Sequence, residues 1–223
     1  MSKAEAGSLR KIALSTADTL QSYLNDTSDW KVSKKTKDIL VEHKHSSVPG
    51  NEHGHLYRAH CELKCCKETV HKYMYPVGGP ESELRKTWDR DISDIQLLAR
   101  IDQDLSVNMI RTNSAAMGMI HPREYVDLMF EVRTDNYTSF NAVSIDYEDQ
   151  PINPKFVRGW NHPSGFFCYD IPGQPGHTNF VLLVQTDIKG SLPRSLVDSA
   201  IPGAIAGLCT NLRNMLIKDG HLS

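Results

Sequence analysis

Phe180-Val-Leu-Leu-Val184, the polar connection Gln185-Thr-Asp-Ile-Lys-Gly-Ser-Leu-Pro193 and the segment from Arg194 to Leu216 set a strand directly before a long helix. The strand reading covers Phe180 to Ile188, a short apolar run bounded by turn residues. Proline is tolerated in a first helical turn, so Pro193 opens the helix. Val197, Ile201, Ile205, Leu208, Leu212 and Met215 or Leu216 mark one face of it. Pro202-Gly203 sits in the middle. A proline there lacks a backbone donor and clashes with the preceding turn, so a kink or a split into two pieces is expected.

Upstream, strand-like segments alternate with polar or Gly/Pro turns: Ile95 to Ile101, Leu105 to Thr112, Tyr125 to Arg133, Phe140 to Tyr147, Phe156 to Gly159 and Phe166 to Ile171. That is the pattern of an antiparallel meander. Trp30 to Lys34 and Asp38 to Lys44 read as a hairpin, Leu56 to Leu63 as a further strand, and Lys67 to Tyr75 as a short helix ended by Pro76-Val-Gly-Gly-Pro80. Leu9, Ile12, Ala13, Thr16, Leu20, Tyr23 and Leu24 recur every three or four residues and predict an opening amphipathic helix. The class is therefore α+β.

Composition narrows function by exclusion. The 223 residues are 39% hydrophobic and 23% charged with a formal net charge of −2, values of a globular chain able to bury its own core and far from those of a disordered one. Lys+Arg 25 against Asp+Glu 27 leaves no basic excess, so no nucleic-acid partner is expected. No apolar run approaches the roughly 18 residues a bilayer-spanning helix needs. The amino terminus leads into an amphipathic segment unlike a secretory signal, and a cytoplasmic protein is expected. Five cysteines, including the adjacent Cys65 and Cys66, read as free thiols. Gly-x-Ser-x-Gly, Gly-x-x-x-x-Gly-Lys, Gly-x-Gly-x-x-Gly and His-Glu-x-x-His are absent, so no catalytic residue, cofactor or metal is assigned.

His43, His45, His53, His55, His60 and His71 share a segment with Cys61, Cys65 and Cys66 at a density that suggests a metal site. No Cys-x-x-Cys occurs, and four of these histidines surround the loop at Val48-Pro-Gly-Asn51, so surface histidines and buried thiols are the preferred reading. Arg111 poses a sharper question. Strand alternation puts Leu105, Val107, Met109 and Arg111 on one face. A guanidinium on an apolar stripe either anchors the polar end of a greasy ligand, with Asp127 as candidate partner, or reaches solvent at the strand end.

Ile120-His-Pro-Arg-Glu-Tyr-Val-Asp-Leu128, Phe156-Val-Arg-Gly-Trp-Asn-His-Pro-Ser-Gly-Phe-Phe-Cys168 and Gln185 to Pro193 with Val197-Asp198 occur in that order. With Asp29-Trp-Lys-Val32, Leu56-Tyr-Arg58 and Trp88-Asp89, they resemble the START (StAR-related lipid transfer) family, in particular its small cytosolic sterol- and bile-acid-binding subgroup. The likeness extends from about Leu9 to Leu216. It implies a helix-grip fold in a single domain, residues 1–223, whose curved antiparallel sheet wraps the long carboxy-terminal helix and encloses a tunnel for one lipid. The loop around Ile145 to Phe156 and the Pro202-Gly203 region are then expected to form the lid. The steroidogenic branch of the family carries a deep arginine where this chain has Met129, whereas Arg111 and Asp127 match the small subgroup. Its His-Pro-Cys-Gly is His162-Pro-Ser164-Gly165 here.

The expected function is non-enzymatic intracellular lipid binding and transfer. One sterol-like lipid (cholesterol, an oxysterol or a bile acid) occupies a tunnel lined by Val107, Met109, Met129, Phe166, Cys168, Leu182, Val184, Ile201, Ile205 and Leu208, with Arg111 and Asp127 as the polar groups. A closed apolar tunnel removes a penalty of about 0.8 kcal/mol for every methylene exposed to water in transit. A monomer in brief contact with a membrane surface is expected, with Lys31, Lys34, Lys35 and Lys37 as a candidate contact. The rivals are a lipid sensor or carotenoid carrier that retains its ligand, and a cavity enzyme using Arg111, Asp127 or His162.

Overall fold

Side chains alternate across each strand, so a sheet whose strands are apolar at both parities must be covered on both faces. This chain covers them with its two long helices. The computed structural model describes residues 2–49, 51 and 54–222. In chain order the elements are α1 (Lys3–Asn25), β1 (Lys31–Lys35), β2 (Ile39–His45), β3 (His55–Leu63), α2 (Lys67–Met74), α3 (Glu83–Trp88), β4 (Ile92–Arg100), β5 (Leu105–Thr112), β6 (Arg123–Arg133) and β7 (Tyr137–Ser144). There follow β8 (Val157–Arg158), β9 (Trp160–Asn161), β10 (Ser164–Ile171), β11 (Gln174–Val184), β12 (Thr186–Asp187) and α4 (Arg194–Lys218). The main sheet is curved and runs β1-β2-β3-β11-β10-β7-β6-β5-β4, antiparallel throughout, with β8 added parallel to β6. β9 and β12 form a separate pair.

The outer face lies under α1. Ser2 starts this helix with a capping box, its hydroxyl accepting the Glu5 N–H at 3.3 Å while the Glu5 carboxylate accepts the Ser2 N–H. Ala13 packs against Leu105, Val107, Met109, Val126, Leu128 and Phe130, and Leu20 against Leu56, Phe167, Val181 and Leu183. The concave face holds α4 and α2. Cys209, Leu212 and Leu216 of α4 are fully buried against Ile39, Val41, Ala59, Cys61 and Leu63 from β2 and β3, and Val70 and Met74 from α2.

Several sequence expectations change. α4 runs unbroken through Pro202, forgoing only the bond that proline cannot donate. α3 was not anticipated, because its six residues are too few to show a helical period. The Phe156–Gly159 segment contributes only the two-residue β8 beside β6, and a separate short strand, β9, follows it on a different partner, β12. The last strand begins earlier, at Gln174, and is interrupted at Gln185, whose N–H bonds the Ser164 hydroxyl at 2.9 Å and whose C=O accepts the His162 N–H at 2.8 Å.

The face shared by Val107, Met109 and Arg111 is the outer one, under α1, and not the concave one. Arg111 does not reach Asp127. Its Nε donates to Glu124 at 3.3 Å, Asp94 lies 3.7 Å away, and the guanidinium sits over the Phe156 ring at 4.8 Å. Register explains the correction: Arg111 is opposite Glu124 and Asn108 is opposite Asp127, so the two acids of β6 project to opposite faces.

Glu124 is fully buried and gathers the neighbouring loop. Arg158 donates to it at 2.8 Å and the Asn153 N–H at 3.3 Å, while the same Arg158 holds the Gln150 carbonyl at 3.2 Å. Burial pushes this carboxyl up, but the bonds from Arg158 and Asn153 and the charges around it outweigh that and hold it below its ordinary value. Breaking such a buried pair costs about 3–5 kcal/mol. Glu124→Gln is expected to lose about 3 kcal/mol in urea unfolding at pH 7. A carboxylate with a lowered pKa stabilises above its unfolded value and loses that contribution as pH falls through the folded one, so the difference between wild type and variant should shrink as pH drops below 4.5. A constant difference between pH 7 and pH 3 would refute the assignment.

Candidate functional site

A mostly apolar cavity of about 290 Å³ lies between the concave face of the sheet and α4. It is near the lower bound of the about 300–1,000 Å³ usual for small-molecule sites. Met129, Phe140, Phe166, Leu182 and Val184 line it from β6, β7, β10 and β11, and Ala204, Ile205 and Leu208 close it from α4. The space exists because of side-chain size. The last turns of α4 fill the hollow with Cys209, Leu212 and Leu216, whereas the preceding Pro202-Gly-Ala-Ile-Ala-Gly207 puts only Ala204 and Ile205 on the cavity wall.

Asp127 faces this cavity and is 1% exposed. Ser144 Oγ donates to one carboxyl oxygen at 2.7 Å, and Asn161 Nδ2 donates to the other at 2.8 Å. The Asn161 N–H in turn bonds Ser144 Oγ at 2.7 Å, which fixes the serine as donor toward the acid. Burial pushes the Asp127 carboxyl up to about 6 against the pull of these two hydrogen bonds. Among the described residues no cation pairs with it. Thr112, Tyr125, Ser164 and Thr186 complete the polar part of the wall, and Arg85 and Asp91 stand at its margin.

The expected site residues therefore divide. Asp127, Met129, Phe166, Leu182, Val184, Ile205 and Leu208 come together at the cavity, whereas Val107, Met109 and Arg111 lie behind the sheet. Cys168 is on the concave face but fully buried in the core beyond the cavity, its thiol pushed up by burial. Ile201 lines a more polar chamber of about 290 Å³ beneath the first half of α4, shared with His55, Tyr57, Lys189, Arg194 and Asp198, and bordering the apolar cavity at Thr186. Ser144, Asn161 and Tyr125 were missed as site residues. Asn161 belongs to the quoted Trp-Asn-His-Pro motif, a signal that could have found it.

The histidines disperse. His43, His45 and His55 cluster on β2 and β3 with ring centroids 5.0 Å apart for His43–His55 and for His45–His55, and His55 Nδ1 lies 3.2 Å from Asp198 of α4. His71 is a core residue, contrary to the surface reading, because it stacks on Phe140 at 5.0 Å and hydrogen-bonds Glu131 at 2.7 Å. Cys66 is exposed, unlike Cys61 and Cys65. His53 lies outside the described residues. Among the described residues no three His, Cys, Asp or Glu side chains are placed to hold a metal ion.

The family model described as START domain matches residues 14–214. StAR-related lipid transfer protein 5 of Mus musculus is 37% identical over 207 residues, covering 92% of this chain and 94% of its own. StAR-related lipid transfer protein 6 of Homo sapiens is 31% identical over 206 residues, covering 92% and 90%. The solved structure of human StAR-related lipid transfer protein 5 superposes with a TM-score of 0.87 at 31% identity, over 96% of this chain and 98% of that one. A concave sheet gripping its last helix around an apolar cavity, over a sequence this similar along nearly its whole length, makes the chain a member of the START family.

Proposed function

We propose that this protein is a non-enzymatic lipid carrier, folded as one unit, which holds a single sterol-like lipid between α4 and the sheet and moves it between membranes. The observation that carries the reading is the apolar cavity with one buried carboxyl in its wall. Relatives named as lipid transfer proteins along nearly the whole chain support it. Apolar walls compensate the hydrocarbon for leaving the bilayer, and Asp127 with Ser144 and Asn161 gives a polar end something to bond. Incubation with an equimolar mixture of cholesterol, a bile acid, phosphatidylcholine and a carotenoid, read by native mass spectrometry, is expected to give a one-to-one adduct. Absence of any adduct while a control carrier loads would refute the reading. Ile205→Trp fills the cavity from α4 and is expected to weaken lipid binding at least tenfold with the circular dichroism spectrum retained.

Membrane contact is proposed at the rim where β6 begins. The β5–β6 loop there exposes Met117 (97%) and Met119 (52%), and the β7–β8 loop exposes Ile152 (66%). Ala116 and Met117 both have positive φ, of 50° and 56°, a conformation costly for residues with a Cβ and one that holds the methionine outward. Thr112, at the same end of β5, lines the cavity, so a lipid leaving by this rim passes directly to the surface it touches. The lysines of β1 instead lie along an exposed sheet edge, where charge discourages pairing with another chain. Met117→Ser with Met119→Ser is expected to slow vesicle-to-vesicle transfer about tenfold while leaving lipid affinity unchanged. An equal loss from replacing Lys31 and Lys34, with none from the methionines, would move the contact to the hairpin.

A further inference from the structure

We infer that the cavity selects an uncharged lipid bearing a hydroxyl donor over the otherwise identical carboxylic acid, an inference that rests on the carrier reading and narrows its ligand class. Asp127 is the deciding residue. An ionised carboxylate accepts at about four lone-pair positions, and only two of those here are taken, one by Ser144 and one by Asn161. The remaining capacity belongs to a group that borders the cavity. A ligand O–H satisfies it directly, in a place where a charge-assisted hydrogen bond is stronger than in water.

An acid has no such welcome. Its carboxylate would bring a second negative charge beside Asp127 in a poorly solvated space, and two neighbouring carboxylates there do not both ionise. The cations that could relieve the conflict are committed elsewhere. Arg111 is on the opposite face with Glu124 and Asp94. Arg85 borders the cavity, but its Nε and one terminal nitrogen both donate to Asp89, at 3.1 and 3.0 Å, and its other terminal nitrogen donates to the Met74 carbonyl at 2.8 Å. Asp91 adds a further acid to the same wall. Among the described lining residues no cation lacks an acidic partner.

Acidification reverses the bias. Burial has raised the Asp127 carboxyl to about 6, so below that pH it carries a proton and can donate to a ligand carboxylate. A hydroxyl still bonds the neutral carboxyl, without the charge assistance, so the alcohol's affinity falls modestly over the same range while the acid's rises.

The test compares cholanic acid with cholanol, the primary alcohol on the same steroid skeleton, by calorimetric titration into the full chain. At pH 7.5 the alcohol is expected to bind at least tenfold more tightly, and the ratio is expected to fall toward unity at pH 5. In Asp127→Asn the acid should gain about tenfold at pH 7.5 and lose its pH dependence. Equal or tighter binding of the acid by the unmodified protein at pH 7.5 would overturn the inference and leave the carrier reading intact, as would a ratio that does not move with pH. Failure of both steroids to bind while a control carrier loads would overturn the carrier reading and this inference together. The pH series uses the unmodified chain, so the test survives a misfolded variant.

Discussion

The uneven packing of α4 against the sheet sets the rest of the structure. Cys209, Leu212 and Leu216 fit the hollow between β2, β3 and α2 and are fully buried, so the carboxy-terminal turns hold the helix in place. Over β6, β7 and β10 the helix presents only Ala204, Ile205 and Leu208, which line the space without filling it. One helix thus anchors at one end and leaves a cavity near the other. A uniform row of leucines would have closed the space and made a better core.

Parity along β6 is the second determinant. Arg123, Glu124 and Asp127 lie within five residues, yet alternation sends them to different tasks. Arg123 is 3% exposed, and donates to the backbone carbonyls of Ile188 at 3.0 Å and Lys189 at 3.1 Å as well as to that of His121, fastening the connection into α4. Glu124, on the outer face, fastens the β7–β8 loop through Arg158 and Asn153. Asp127 faces inward. A one-residue register slip of β6 would exchange these roles at once, putting the loop anchor in the cavity and the ligand-facing acid under α1.

The same parity explains what the sequence could and could not reveal. The terminal helices were legible from their three-to-four spacing and most strands from their turn residues, because those signals are local. Phe166, Leu182, Val184, Ile205 and Leu208 meet at the cavity because β10, β11 and α4 face each other across it. Val107, Met109 and Arg111 were correctly grouped on one face but given the wrong side. Leu105 through Met109 are all buried, the polar Ser106 and Asn108 on one face as fully as Val107 and Met109 on the other, so exposure does not mark which face meets α4. Only the pairing of Asn108 with Asp127, a contact across 19 positions of sequence, decides it. Asn161 and Ser144 were invisible as a unit for the same reason, since their bonds to Asp127 join three separate strands.

A cavity is also a debt in stability. At about 24 cal/mol per Å³, an apolar void of 290 Å³ left dry would cost on the order of 7 kcal/mol, comparable with the whole net stability of a small domain. The outer face supplies a compensation that a simple two-layer grip would lack. α1 closes two further apolar clusters behind the sheet, and its Arg10 reaches both Asp102 and Asp104 at 2.7 Å in the β4–β5 turn. With β4, β5 and β6 stabilised from behind, the concave face in front of them can remain incompletely filled. The apolar residues on the wrong side of the sheet for ligand contact are thus what permit the right side to stay open.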